Sequence, residues 1–283
     1  MKIIPNKLNE IRSDELLSSF FENGYTLFEN VITENEQKEI LEDLARFNRG
    51  DYNSKLIDPV DWELGDERLF CRYMYIGQPH ACSTIIKKYI INPNICRILD
   101  IVVGASVPHW DGGYKCMQTM FVNKEPGSNG SPWHQDEASI PTRDRSLTGV
   151  WIPLVDVNVD NGCLWILPDS HKSGIIYERV SHDLPDVDSM PIARGFDSSG
   201  AIPVEMKAGS ALVFSGYLLH NSKKNISDIY RPTLSIHYCS SSTMIPWNSS
   251  SWNDDYRGVV PVKGKDPYEK KGYTQPEFWV VKD

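Results

Sequence analysis

The chain has 283 residues, of which 40% are hydrophobic and 11% aromatic, so it is long enough to bury a sizeable core. A formal net charge of −9, without any run of Lys and Arg, argues against a nucleic-acid partner, for which a basic patch is expected. No stretch approaches about 18 uninterrupted apolar residues, and no apolar leader follows Met1, so we expect neither membrane insertion nor secretion. The six cysteines include no CxxC pair, which is typical of reduced thiols in a cytoplasmic protein.

Helical patterns dominate the first third of the chain. Ser13 precedes apolar residues at helical spacing that end at Gly24, which predicts an N-capped amphipathic helix followed by a strand at residues 25–28. Thr33 and Glu36 have the spacing of a capping box and predict a second helix. Two more helices are predicted from segments rich in Ile and Leu, at residues 80–90 and 93–102.

From Tyr114 onward, short strands recur between turn signals, which is the pattern of a two-sheet jelly roll. The predicted strands cover residues 117–123, 133–136, 147–154, 163–167, 211–219 and 232–239. Two long irregular stretches, residues 50–67 and 178–208, interrupt the pattern. Because loops of this length are usually functional or disordered, we expect them to cover a site and to shape its pocket.

The sequence shows no internal repeat and predicts a single domain over residues 1–283. Within it, residues 1–110 provide helical support and the first strands, residues 111–240 form the jelly-roll core, and residues 241–283 form a C-terminal extension rich in aromatic residues. We expect this extension to pack its aromatic side chains on the sheet. The alternative is that part of it closes the mouth of a site or makes a dimer contact.

Two separated segments carry side chains that bind metal ions. In the first, residues 133–136, His134 and Asp136 stand two apart and would point to the same side of an extended strand. The second supplies His220, which we expect at the end of the apolar strand 211–219. Two imidazole nitrogens and one carboxylate can occupy one face of an octahedral ferrous ion and leave three positions open, as in non-heme oxygenases.

An arginine begins the next predicted strand. From Arg231 the residues alternate, so Thr233, Ser235 and His237 share its side. If this strand pairs antiparallel with the one that bears His220, Arg231 points into the same cavity. The rigid fork of a guanidinium binds a carboxylate through two hydrogen bonds, so we expect Arg231 to hold an acidic co-substrate. Thr233 as a second donor and His237 as a support for the metal ligands are hypotheses whose alternative is an ordinary strand residue.

Each of these features is weak evidence by itself. Most histidines in a lone His-x-Asp triplet are exposed or hydrogen-bonded core residues, and most strand arginines are exposed. The order of the features along the chain is more specific. A second histidine follows a buried-looking strand, and an arginine follows that histidine at the distance of a paired strand.

Four ordered motifs resemble the phytanoyl-CoA dioxygenase family. They are His134-Gln135-Asp136, residues 149–154, residues 161–174, and His220-Asn221-Ser222 together with Arg231. With residues 20–25, which are similar to the family's first helix and strand, the resemblance covers approximately residues 14–240. It implies a mainly β fold, namely a double-stranded β-helix of the cupin-like jelly-roll type with flanking N-terminal α-helices.

The resemblance also implies Fe(II), 2-oxoglutarate as co-substrate, and O2. By similarity, the iron ligands and catalytic residues are His134, Asp136 and His220, and Arg231 binds the distal carboxylate of 2-oxoglutarate. The other residues expected to contact the co-substrate are Met120, Gln135, Trp151, Ser222 and Thr233. A lysine often found upstream in the family is not evident, and Arg72 is a candidate to replace it.

The identity of residue 136 favours hydroxylation over halogenation, because halogenating relatives lack this carboxylate and bind chloride in its place. The resemblance therefore implies a dioxygenase that hydroxylates or otherwise oxidises an unactivated C–H bond of a small molecule, with succinate and CO2 as co-products. Two alternatives are a non-catalytic jelly-roll binding module and a metal-dependent cupin-type enzyme that does not use 2-oxoglutarate. The sequence is compatible with several substrate classes: an acyl-CoA, a free acid, an amino-acid derivative or a secondary metabolite. It does not indicate an oligomeric state.

Overall fold

The computed structural model describes residues 3–52, 57–244 and 258–268. Its helices are α1 (Ser13–Asn23), α2 (Glu34–Arg49), α3 (Thr84–Ile90) and α4 (Pro93–Val102). Its strands are β1 (Tyr25–Phe28), β2 (Tyr75–Gly77), β3 (Tyr114–Val122), β4 (Ser131–His134), β5 (Thr148–Pro153), β6 (Leu164–Ile166), β7 (Arg179–Val180), β8 (Ile192–Ala193), β9 (Ile202–Val204), β10 (Ala211–Ser215), β11 (His220–Ser222), β12 (Thr233–Ser240) and β13 (Val260–Lys263).

Local signals set the helix boundaries. The predicted capping box is confirmed at α2, where the Thr33 hydroxyl accepts from the Glu36 N–H and the Glu36 side chain accepts from the Thr33 N–H. The predicted cap at Ser13 is wrong. The carbonyl of Arg12 already accepts a hydrogen bond from Leu16 N–H at 2.9 Å, so Arg12 is the N-cap of α1. The Arg12 side chain makes no capping hydrogen bond.

The third predicted helix begins later than the apolar pattern indicated. Residues 79–81 form a separate 3-10 turn, and the Ser83 hydroxyl then caps α3 by accepting from the Ile86 N–H. The fourth helix has the predicted bounds, because Asn92 caps it and Pro93 occupies its first turn, where a missing N–H costs nothing.

The strands form two facing antiparallel sheets. The major sheet has the order β1-β10-β5-β12-β3-β13, with β2 also paired to β3, and the minor sheet has the order β4-β11-β6-β9. Strands β7 and β8 form a small separate hairpin. This arrangement confirms the expected mainly β jelly roll with flanking N-terminal helices.

Apolar side chains fill the outer face of the major sheet and one half of the space between the sheets. On the outer face, Val150, Phe121 and Ile236 pack with residues of all four helices. Between the sheets, Leu212 and Phe214 of the major sheet pack against Ile166 of the minor sheet. In the other half, the inward residues of β3 stay partly exposed although β3 is paired on both sides. An open cavity therefore lies between β3 and the minor sheet.

The two stretches expected to be irregular differ in the structure. Residues 178–208 are not irregular, because they contain β7, β8 and β9, the last of which completes the minor sheet. These strands have two or three residues, which is too short for a periodicity to show in the sequence. In the other stretch, residues 53–56 lie outside the described residues, and the remainder carries neither helix nor strand before the 3-10 turn at Glu67–Phe70.

Part of the C-terminal extension is described. Strand β13 pairs with β3, and the Asp266 carboxylate lies 3.0 Å from Lys115 Nζ, with both side chains fully buried. The ring centroid of Tyr268 lies 5.7 Å from Lys115 Nζ, and the packing of the extension's aromatic side chains on the sheet stays a prediction. The other aromatic residues of the extension lie outside the described residues.

Candidate metal centre

Three potential metal ligands meet at the edge of the open cavity. One ligand atom from each of His134, Asp136 and His220 lies within 4.8 Å of the others. The Asp136 Oδ1 atom is 3.7 Å from Nε2 of His134 and 3.7 Å from Nε2 of His220. The three side chains thus converge on one point, as the sequence predicted.

Adjacent strands of the minor sheet hold the two histidines. β4 and β11 pair antiparallel with His134 directly opposite His220, and the two imidazole centroids are 4.1 Å apart. The prediction that Asp136 lies in a strand is wrong. β4 ends at His134, and Asp136 is the first residue of the 3-10 turn Asp136–Ala138. This turn places the carboxylate of Asp136 near both histidines. The sequence had predicted the same proximity from the two-residue spacing in a strand.

The position of His220 also differs from the prediction. The strand expected over residues 211–219 ends at Ser215, whose carbonyl accepts from Leu218 N–H at 2.9 Å in a turn. The chain then crosses from the major to the minor sheet, and His220 opens β11. Leu218 and Leu219 are buried in this crossing, so their hydrophobicity extended the predicted strand through the turn.

Backbone carbonyls fix the tautomer of both histidines. His134 Nδ1 lies 2.8 Å from the carbonyl of Pro132, and His220 Nδ1 lies 3.0 Å from the carbonyl of Leu218. A carbonyl only accepts, so each Nδ1 carries the proton and each Nε2 presents a lone pair to the metal position. Burial, and then the nearby His134, lower the pKa of His220 to about 4, so its imidazole is neutral at pH 7 and able to bind a metal.

The carboxylate of Asp136 is held ionised. Burial alone raises the pKa of Asp136, but the positive charges that His237 and His220 carry when protonated, and the hydrogen bond from His237, lower it well below the usual range of a carboxyl. His237 Nε2 lies 3.0 Å from Asp136 Oδ2. The structure therefore brings His237 to the metal ligands, as hypothesised from its position in the strand.

Arg231 is a buried cation without a carboxylate partner among the described residues. It is 1% exposed, its Nη1 lies 3.3 Å from Thr233 Oγ1 and 3.5 Å from the carbonyl of Val122, and its Nε has no hydrogen-bond partner in the described part of the chain. Burial lowers the pKa of Arg231 to about 10, which leaves it charged at neutral pH. An uncompensated buried guanidinium is costly, so the site is suited to an anionic ligand.

Strand register places several predicted residues on the same inner face. Ser235 of β12 pairs with Met120 of β3 on one side and with Trp151 of β5 on the other, and paired residues share a face of the sheet. Two positions further along β12, His237 reaches Asp136, so this face looks toward the minor sheet. Arg231 thus approaches the cavity from the sheet opposite His220, and not from a neighbouring strand as had been expected.

The remaining predicted co-substrate residues have other partners as well. Thr233 Oγ1 donates to the carbonyl of Val122 at 2.6 Å, and Ser222 Oγ lies 2.6 Å from Ser131 Oγ. Arg231 Nη1 and Thr233 Oγ1 both reach this carbonyl of Val122, so Thr233 lies beside the guanidinium. The co-substrate roles of Thr233 and Ser222 stay predictions.

The amide of Gln135 is fully engaged with the protein backbone. Its Nε2 donates to the carbonyls of Ile175 and Tyr217 at 2.9 and 2.7 Å, and its Oε1 accepts from the Tyr177 N–H at 2.9 Å. Gln135 is 1% exposed, and it fastens two loops to the segment that carries both His134 and Asp136. A direct contact with the co-substrate stays a prediction for this residue.

Arg72, the candidate for the missing lysine, lies elsewhere. Its Nη1 donates to the carbonyls of Asn48 and Asp58 at 2.6 Å each, so it binds the loop after α2. Tyr75 is one of two residues near the site that the sequence reasoning missed. It pairs with Val122 and so lies on the inner face of the sheet. β2 has three residues, too few for an alternation that could have revealed it.

Lys124 was also missed. It is fully buried beside Arg231, with which it forms a backbone bridge, and its Nζ donates to the carbonyl of Lys223 at 2.5 Å. Burial, and then the positive charge of Arg231, lower the pKa of Lys124 to about 6. No sequence signal marks such a residue, because lysine is rarely buried.

Over the described residues, no helix is both long and apolar enough to cross a bilayer.

Residues 20–233 match the protein-family model described as phytanoyl-CoA dioxygenase (PhyH). A phytanoyl-CoA dioxygenase of Arabidopsis thaliana is 35% identical over 137 residues, which are 48% of each chain. Phytanoyl-CoA dioxygenase 1 of Oryza sativa subsp. japonica is 34% identical over 61% of this chain and 59% of its own. The chain thus spans about half to three fifths of the length of these curated relatives.

Solved structures show the same fold at low sequence identity. The epimerase SnoN of nogalamycin biosynthesis, described as non-heme and alpha-ketoglutarate dependent, superposes with a TM-score of 0.61 at 20% identity over 90% of this chain and 92% of its own. EctD from S. alaskensis superposes with a TM-score of 0.62 at 15% identity over 91% of this chain and 82% of its own.

Proposed function

The chain belongs to the phytanoyl-CoA dioxygenase family, and from that premise we propose that it is an Fe(II)- and 2-oxoglutarate-dependent dioxygenase. We propose further that it oxidises an unactivated C–H bond of a small molecule, by hydroxylation in the first instance, with succinate and CO2 as co-products. One observation carries this proposal. The buried cation of Arg231, which no carboxylate of the described residues neutralises, lies by strand register on the face of the major sheet from which His237 reaches Asp136 of the metal cluster.

The donor set fits ferrous iron. Two imidazoles that present Nε2 to the same point and one ionised carboxylate are the ligands of the 2-His-1-carboxylate sites that bind non-heme Fe(II). The described residues offer one cluster of this kind. A bound iron supplies the activation of O2 that amino-acid side chains lack.

The chain's own residues bind and orient the co-substrate. We propose that Arg231 binds the distal carboxylate of 2-oxoglutarate through its fork of N–H donors, since its Nε and Nη groups have few protein acceptors. Met120 and Trp151, on the same inner face, would pack on the aliphatic carbons, and Ser222 and Thr233 would add hydroxyl groups. Tyr75, also on the inner face, is placed to contribute where the family's lysine is not evident.

The sheet walls serve to exclude water. Phe214 packs on His220 with ring centroids 4.9 Å apart, so the apolar cluster between the sheets, to which Phe214 belongs, adjoins the metal ligands. A dry and shaped site strengthens the ionic grip on a carboxylate and limits side reactions.

The outcome beyond the first oxidation differs among proteins with this fold. SnoN is described as an epimerase and SnoK as a carbocyclase, both from nogalamycin biosynthesis. These descriptions support a small natural-product or aliphatic substrate as well as the family's acyl-CoA. A cytoplasmic location stays a proposal, and a relative from Bos taurus is described as peroxisomal.

The first experiment is an anaerobic titration of the metal-free protein with Fe(II) and 2-oxoglutarate, following the visible charge-transfer band. We expect a saturable band in the wild type that weakens in Asp136→Ala and in Arg231→Ala. Succinate release in a substrate screen should then be lost in His134→Ala. A folded wild type without the band, or unchanged turnover in His134→Ala, would contradict the proposed function.

A further inference from the structure

His237 is a third histidine at the metal centre, and it belongs neither to the predicted ligands nor to the co-substrate contacts. It is 5% exposed and lies on the inner face of β12. Its Nε2 is 3.0 Å from Asp136 Oδ2, whereas Asp136 Oδ1 is the oxygen that lies near both His134 and His220. The two oxygens of one carboxylate therefore have separate partners.

The proton of His237 has one favourable position. The Nδ1 atom is buried and has no hydrogen-bond partner among the described residues. A proton on Nδ1 would leave a buried donor unsatisfied and would set the lone pair of Nε2 against an acceptor-only carboxylate. A proton on Nε2 avoids both penalties, so His237 donates from Nε2 to Asp136.

The tautomer of His237 is thus the opposite of the one that His134 and His220 share. His134 and His220 are protonated on Nδ1 because backbone carbonyls accept there, and each presents a bare Nε2. No carbonyl of the described residues lies at Nδ1 of His237, which presents a protonated Nε2. Identical side chains therefore provide two ligands and one hydrogen-bond donor.

The backbone gives His237 a fixed position. β12 is paired on both sides at this residue, with Gln118 of β3 and Gly149 of β5. Asp136, by contrast, lies in a 3-10 turn just beyond the end of β4. A carboxylate on a turn can rotate and can bind a metal through one or both oxygens, whereas a donor on a central strand cannot follow it.

We propose that His237 is the positioning residue of the metal centre: its Nε2–H holds Oδ2 of Asp136, so that Asp136 binds the metal through Oδ1 alone and three positions stay available to exogenous ligands. This inference rests on the proposed function, because it requires that the cluster binds a metal. Hydrogen bonds to ligating groups typically change metal affinity by about 10–100-fold.

The test compares His237→Leu, which removes the donor at similar volume, with His237→Gln, whose amide offers an N–H at a similar reach. Fe(II) affinity is measured anaerobically by competition with a colorimetric chelator, and Co(II) absorption reports the coordination number. We expect His237→Leu to weaken Fe(II) binding by about 10–100-fold and to change the Co(II) spectrum. His237→Gln should restore both toward the wild type.

A matched control is His80→Leu. His80 is also a buried histidine, but its ring nitrogens bind Thr119 Oγ1 and the carbonyl of Gly258, away from the metal cluster. It should lower the midpoint of thermal unfolding and leave Fe(II) affinity unchanged. This separates the loss of any buried histidine from the loss of this donor.

The outcomes distinguish this inference from the proposed function. Wild-type affinity and spectrum in folded His237→Leu overturn the positioning role alone, provided that the wild type binds Fe(II) and His134→Ala does not. An equal loss in folded His237→Gln also overturns it, and that variant decides the matter if His237→Leu does not fold. A folded wild type that binds no Fe(II) overturns both the proposed function and the role of His237.

Discussion

The charge of Arg231 explains much of the chemistry of the site at the scale of single residues. A guanidinium loses its hydration when it is buried, and hydrogen bonds to neutral oxygens replace that hydration only in part. Among the described residues, the acceptors of Arg231 are Thr233 Oγ1 and the carbonyl of Val122. The ligand-free protein therefore keeps a destabilising charge where we propose that a carboxylate binds, a common trade of stability for function.

Replacing Arg231 by Met should separate stability from binding. Arg231→Met removes the buried charge at similar length, so we expect the free energy of unfolding of the ligand-free protein to stay equal or to rise by about 1–4 kcal/mol. Addition of 2-oxoglutarate with Co(II) should raise the midpoint of thermal unfolding in the wild type and no longer do so in the variant. Arg231→Lys, which keeps the charge without the fork, is the control. A ligand-free Arg231→Met that loses several kcal/mol would show that the charge is already neutralised.

At the scale of elements, short-range hydrogen bonds define where the chain turns. The reciprocal bonds of Thr33 and Glu36 satisfy two N–H groups at the start of α2. The helix then packs Ile40, Leu44 and Phe47 into the cluster on the outer face of the major sheet. The cap thus fixes the register of the helix that supports the sheet.

Loss of this cap has a definite cost. Thr33→Ala leaves the Glu36 N–H without its acceptor, so we expect a loss of about 1 kcal/mol in the free energy of unfolding. Urea denaturation followed by circular dichroism measures it, with Thr33→Ser as the control that retains the hydroxyl. Equal losses in both variants would indicate that the methyl group matters and the cap does not.

The ion pair between β3 and the C-terminal extension is an element-scale anchor. Lys115 Nζ lies 3.0 Å from Asp266 and also donates to the carbonyls of Ser241 and Thr243 at 3.2 and 2.6 Å. Asp266→Asn removes the carboxylate charge that lies 3.0 Å from the buried ammonium of Lys115, so we expect a loss of about 3–5 kcal/mol on urea denaturation. The double variant Lys115→Met, Asp266→Leu should regain most of it. A change below about 1 kcal/mol in Asp266→Asn would mean that the other interactions of Lys115 are sufficient to stabilise its buried charge.

At the scale of the whole molecule, the metal ligands lie apart from the larger apolar cluster. That cluster covers the outer face of the major sheet, whereas the ligands belong to the minor sheet and to the turn after β4. The smaller cluster between the sheets reaches the ligands through Phe214, whose ring packs on His220. The fold should therefore form before a metal binds, and the metal should add stability only through binding to the folded state.

Removal of the metal tests this separation. Treatment with a chelator should leave the far-ultraviolet circular dichroism spectrum unchanged and should lower stability by about 2.7 kcal/mol relative to protein with free metal at 100 times its dissociation constant. Calorimetry with and without Co(II) measures the shift. Loss of secondary structure in the metal-free protein, as in small zinc domains, would contradict a core that is independent of the metal.

The sequence by itself determined the features that depend on neighbours within a few residues or on motifs in order. The capping box at Thr33, the end of α1 at Gly24, the α4 boundaries and the jelly-roll class are of this kind, and so is the set of His134, Asp136 and His220. Capping, turn and alternation signals act over one to four positions, so they remain legible in a single chain.

Only the tertiary structure decided how those residues meet. It ended β4 before Asp136, moved His220 into the minor sheet, and bound Gln135 to two loops. It also joined His237 to Asp136 across 101 positions and buried Arg231 without a carboxylate partner among the described residues. The physical reason is that each of these outcomes depends on contacts between residues that are far apart in the sequence. Such contacts form only when the two sheets pack against each other.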